Sequence, residues 1–253
     1  MTIPAVKREL ATARARPVER TAYAVAAVLL LSGLVHLGVL LASGATWEGP
    51  LSYRKAMTFG LSFGLTLATL AWATSFLRLP DRTRTFLLGA FTAVSVVEVA
   101  LVTLQVWRGV PSHFNFETGF DTVVSMTLAL GGAVIILTVG GFTVAALRTT
   151  SGLAPSMLLA LRFGLVVLVA SLAVGALMIA DGVRLSRSGD PQLAYTTAGG
   201  LKPVHAVAMH AILVLPALAW LLRFTTWSER RRTRVVQAAA ALYALAVLGT
   251  WLV

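Results

Sequence analysis

Apolar residues fill seven long stretches of the chain, and polar residues gather in the short intervals between them. The stretches cover residues 22–43, 55–78, 85–108, 120–147, 159–185, 203–223 and 233–252. Each approaches or exceeds the roughly 20 residues that a helix needs to cross a hydrocarbon core of about 30 Å. In lipid only helices and closed barrels satisfy every backbone polar group. The pattern predicts an all-α fold, a polytopic transmembrane bundle of seven spans. Residues 1–21 form a basic segment before it, and residues 22–253 form one transmembrane domain. The first apolar run is longer than the roughly 7–15 residues of a signal-peptide core, so it reads as an uncleaved span.

Composition agrees, with 57% hydrophobic and 12% charged residues. The net charge of +11 would suit a nucleic-acid partner in another context. Here the basic residues fall between the spans, where they act as topology signals, and no nucleic-acid role is expected. Fifteen of them (Lys7, Arg8, Arg14, Arg16, Arg20, Arg78, Arg82, Arg84, Arg148, Arg162, Arg223, Arg230, Arg231, Arg232 and Arg234) share one side. The other six (Arg54, Lys55, Arg108, Arg184, Arg187 and Lys202) share the opposite side. The positive-inside rule then predicts a cytoplasmic N-terminus, an external C-terminus and a multipass protein of the cell inner membrane. The chain has no cysteine, which removes disulfides, thiolate metal sites and iron–sulfur clusters formed by its own residues.

Four ionisable residues interrupt the apolar runs: His36, Glu98, Asp181 and His210. Such groups are costly in hydrocarbon and point to function. Counted from the span ends, His36 and His210 fall at matched depth, roughly 10 Å below the outer boundary. Two histidines so placed suit the axial positions of haem b, or another metal such as zinc. Arg54, Lys55 and Lys202 would hold the propionates. Glu98 would handle protons, and Ser95 and Gln105 share its helix face. The outer loop contributes Arg108, Ser112, His113 and Asn115 as a cap, with His205 in the first turn of the sixth span. Gly60 and Gly64 form a Gly-x-x-x-Gly pair that predicts close helix packing.

The stretches R-G-V-P-S-H-F-N, S-Y-R-K-A-M-T-F-G-L-S-F-G and K-P-V-H-A-V-A-M-H resemble those of an uncharacterised family of bacterial seven-span integral membrane proteins. The resemblance implies the multipass fold and brings no activity with it. In outline, seven spans with scattered histidines also resemble the alkaline ceramidase and adiponectin-receptor zinc hydrolases, but the His-x-x-x-His of that pattern is missing. Three readings follow. The first is a redox protein with a metal or haem between His36 and His210. The second is an intramembrane enzyme on a lipid or isoprenoid, by zinc chemistry or with Glu98 and Asp181 as acid and base; the small-molecule partner expected is a lipid or quinone-like molecule. The third is a non-enzymatic transporter, sensor or assembly partner.

Overall fold

A computed structural model describes residues 15–251, apart from 50, 150, 151, 190, 198 and 199. The expected basic segment is therefore described only from residue 15, and Lys7, Arg8 and Arg14 lie outside the described residues. Among the described residues the chain is all-helical, with no strand. Helix α1 covers Pro17–Ser43, α2 Tyr53–Ser75, α3 Asp81–Trp107, α4 Gly119–Arg148 and α5 Pro155–Arg187. The short α6 covers Pro191–Thr197, α7 Lys202–Met209, α8 Ala211–Leu222 and α9 Glu229–Gly249.

Local chemistry sets the ends. Pro17 and Pro155 open α1 and α5, where a missing N–H costs nothing. Glu19 accepts the Arg16 N–H at 2.8 Å. Gly44 ends α1 with φ of 61°, a left-handed stop that glycine adopts without strain. The Ser52 hydroxyl caps α2 through the Arg54 N–H, and the Thr118 hydroxyl caps α4 through the Asp121 N–H.

Five helical units follow one another round a ring: α2, α3, α4, α5 and the α7–α8 pair. Helix α1 lies outside on α2 and α3, and α9 outside on α5, α7 and α8. The ring closes where α8 meets α2. The core runs along its whole inside, from Leu67, Leu70 and Phe91 to Phe142, Leu165 and Leu215. The expected Gly-x-x-x-Gly packing is present. A Cβ at Gly60 would stand 2.6 Å from the Gly33 nitrogen, and one at Gly64 would stand 2.9 Å from the Ala26 carbonyl oxygen.

Six helical segments are long and apolar enough to cross a membrane, with α7 and α8 together forming the sixth, Lys202–Leu222. The protein is a multipass integral membrane protein on that ground. The seventh expected span does not meet the same measure. Its helix, α9, begins at Glu229 and so takes in the arginine run that the sequence pattern left in the preceding connection. The apolar remainder from 235 to 249 reaches only about 22 Å, short of the hydrocarbon thickness.

The sixth span departs further from expectation. It breaks at His210, whose N–H turns back to the Val207 carbonyl at 3.2 Å, and Pro216 lies inside α8. The span also starts deep rather than at the boundary. His205 packs on Ser171 and Gly175, and Ile212 packs on Gly164, so α7–α8 runs antiparallel to α5 with residue numbers summing to about 376. Lys202 therefore stands level with residue 174 of α5. The thirteen residues of α5 from 175 to 187, about 20 Å of helix, project beyond the start of α7.

Candidate functional site

The four residues that interrupt the apolar runs do not come together. Nδ1 of His36 is 2.7 Å from the Ser32 carbonyl, and Nε2 accepts the Trp107 indole N–H at 3.0 Å. Both nitrogens of this buried imidazole are committed. The α1–α2 register places His36 near residue 57 of α2. His210 donates through Nδ1 to the Ala206 carbonyl at 2.6 Å and lies against Leu65, Thr66 and Thr69 of the same helix. The two histidines thus sit at levels about 14 Å apart. An iron between them would need ligating nitrogens about 4 Å apart. The matched depth expected from counting fails because the sixth span starts at mid-height on α5. Among the described residues no group of three or more His, Cys, Asp or Glu is assembled as a metal site.

Glu98 and Asp181 are separated as well. Glu98 is 4% exposed, and its carboxylate seats against Gly131 of α4, where any larger residue would collide with it. Asp181 turns outward on α5 and pairs with Arg184 at 2.8 Å, both side chains solvated or lipid-facing. His205 does not swing toward the loops. Its Nδ1 bonds the Ser171 carbonyl at 2.8 Å, and the Ser171 hydroxyl returns to the His205 carbonyl at 2.8 Å. Arg54 pairs with Glu48 at 2.9 Å, with its guanidinium over the Trp47 ring.

What does come together is the rest of the cap and the remaining cations. The loop from 108 to 118 is pinned at both ends. At one, Arg108, Gln105, Asp121 and Thr118 form a closed network, with Arg108 to Asp121 at 2.6 Å and Gln105 to Asp121 at 2.9 Å. Asp121 went unnoticed in the sequence pattern, although the spacing Thr118-x-x-Asp121 reads as a helix start. At the other, Phe114 adopts φ of 61°, presses its ring onto Gly182 of α5 and accepts the Ser186 hydroxyl at 2.8 Å through its carbonyl. Asn115 is fully buried and exchanges two bonds with Ser125.

This pinning drives His113 inward. Its ring stacks 5.6 Å from Phe59 of α2, and Nδ1 meets the Ser112 hydroxyl at 2.9 Å. Lys55 is one turn before Phe59 on the same helix face. His113 and Lys55 lie deep among protein atoms, yet each keeps some open surface. Lys55 is close enough for its charge to act on the His113 imidazole. Lys202, at the start of α7, is close enough for its charge to act on Lys55. Below them, Phe59 packs with Val102, Val124 and Leu128 as an apolar floor. This end of the bundle, termed the chamber, thus gathers cations from α2 and from the exposed start of α7, with an imidazole from the α3–α4 loop.

Its two ammonium groups are unpaired: among the described residues Lys55 and Lys202 have no ion-pair or hydrogen-bond partner. In the same loop the Asn115 Nδ2 is buried without an acceptor, and so is the hydroxyl of Tyr195 on α6. A buried group left unbonded costs about 1–3 kcal/mol. A ligand rich in acceptor oxygens relieves that cost.

Burial first, and then the charge of Lys55, holds the His113 imidazole well below its usual range. The neutral form is favoured by folding, so its contribution is complete above the unfolded value of about 6.5 and is lost as pH falls below it. Between pH 7 and 5 the thermal midpoint of the purified protein is expected to fall, at up to about 1.4 kcal/mol per pH unit. His113→Gln should flatten that part of the profile. A wild-type profile already flat over this range would count against a buried neutral imidazole.

Comparison with protein-family models, with curated proteins and with solved structures found no match to the chain.

Proposed function

We propose that this multipass membrane protein binds an anionic ligand, a carboxylate or phosphate, in the chamber of Lys55, His113 and Lys202. The observation that carries this reading is the pair of lysines at one end of the bundle, whose ammonium groups hold no ion-pair or hydrogen-bond partner among the described residues. The chamber sits at the end of the bundle opposite Arg82 and Arg84 of α3, Arg162 of α5 and the arginine run of α9. By the positive-inside rule that end faces outward from the cell inner membrane. Lys55 and Lys202 keep the anion-holding role expected of them from sequence. The ligand is recognised by charge, and Phe59 closes the chamber toward the core.

The test is ligand-dependent stabilisation of the detergent-purified full chain by inorganic phosphate. Binding at about a hundred times the dissociation constant contributes roughly 2.7 kcal/mol, a rise in the thermal midpoint of about 5–10 °C for a chain of this size. The double variant Lys55→Gln, Lys202→Gln should lose the rise while keeping a folded baseline, because neither ammonium holds a partner in the unliganded protein. An equal rise in the wild type and the double variant would sink the reading.

A further inference from the structure

A groove of about 520 Å³ lies immediately beside this chamber, on the side of α5 that α7 leaves uncovered. Leu177, Met178 and Ala180 form one wall and Gly200 and Leu201 the other, with Asp181 and Arg184 at the rim. Its volume falls within the range of about 300–1,000 Å³ seen for ligand pockets. Two features say what would occupy it. The lining is apolar, and Leu177 is 59% exposed on a helix that crosses the membrane, so the groove opens sideways toward acyl chains. Leu201 is joined directly to Lys202, the exposed first residue of α7, so a cation stands at the end of the trough's second wall. Only an amphiphile matches both parts.

We infer that the ligand of the chamber is an anionic lipid, with its acyl chain in the groove and its headgroup reaching Lys202, Lys55 and His113. This rests on the anion-binding reading and adds the class of ligand. The Asp181–Arg184 pair at the rim leaves Lys202 as the nearest unpaired cation for the headgroup. The mid-height start of α7 supplies the opening, since a sixth span beginning at the boundary would cover Leu177 and Ala180.

The experiment measures lipid adducts on the detergent-purified full chain by native mass spectrometry, with phosphatidic acid and phosphatidylcholine of equal chain length competing. Inorganic phosphate stabilisation is followed in parallel. The wild type is expected to prefer phosphatidic acid by at least about tenfold, which is roughly 1.4 kcal/mol. Ala180→Trp fills the groove and should abolish that preference, while leaving the response to phosphate intact. Leu177→Trp repeats the block from one turn earlier on the same wall. Leu137→Trp, on the exposed face of α4, should change neither readout. If phosphate stabilises the protein but phosphatidic acid has no preference, the ligand is a soluble anion and the inference falls while the chamber stands. If both tryptophan variants keep the preference, the tail lies elsewhere and the inference falls. If phosphate has no effect on the wild type, the underlying reading falls with it.

Discussion

Replacing Arg84 with Met is expected to remove about 3–5 kcal/mol of stability, the range for breaking a buried charge pair from one side. Arg84 is 1% exposed, and its guanidinium reaches the Thr74 and Leu77 carbonyls, each at 2.6 Å, where α2 runs out of intrahelical donors. It also stands 3.7 Å from Glu19 of α1, itself 3% exposed. Methionine fills a similar volume but supplies no donor. Two carbonyls and much of the compensation for Glu19 would be lost together, leaving only Arg16 at 2.9 Å. The companion variant Arg84→Met, Glu19→Gln should recover part of the loss, because the uncompensated carboxylate is then gone. Thermal unfolding in detergent reads both. A midpoint unchanged in Arg84→Met would show that the α2 end needs no side-chain donor.

The second large effect is expected at Gly60. A Cβ there meets the Gly33 nitrogen at 2.6 Å, the Gly33 Cα at 2.8 Å and the Leu29 carbonyl oxygen at 2.8 Å. All three are backbone atoms, so no rotamer change relieves the contact. Gly60→Val must push α1 away from α2 along a contact that relies on close approach. The cost should reach or exceed the upper end of the 1–3 kcal/mol usual for overpacking. Gly38→Val, on the same α1 but with open space around it, should be close to neutral. Protease resistance of the solubilised protein separates the two outcomes. Equal resistance of the Gly60 and Gly38 variants would refute a backbone-to-backbone contact.

The helices were legible because length and apolarity are local properties. The spans from 22 to 43 and from 120 to 147 match α1 and α4 closely at their C-terminal ends. Lys55 and Lys202 were legible as two of the many basic residues that flank the spans. The site as a whole was not. Depth counting assumes that each span starts at the membrane surface, and α7 starts beside residue 174 of α5 because Ser171 and Gly175 make room for His205. No local signal carries that register. His36 gave no warning either: its second partner, Trp107, is 71 residues away. Glu98 was found by its cost alone, and its seat depends on Gly131 of a different helix. His113, expected only as a cap, reaches inward because Phe114 is locked onto Gly182.

The path of the chain between α5 and α7 has an electrical consequence. A helix of 33 residues is about 50 Å long and overhangs a 30 Å hydrocarbon layer at both ends. With equal overhang, Lys202 rides roughly 10 Å inside the layer, about a third of the way through it. An elementary charge crossing the whole layer exchanges about 2.3 kcal/mol per 100 mV. On the anion-binding reading, a ligand at Lys202 crosses part of that drop, and the membrane potential becomes one of the terms in its affinity.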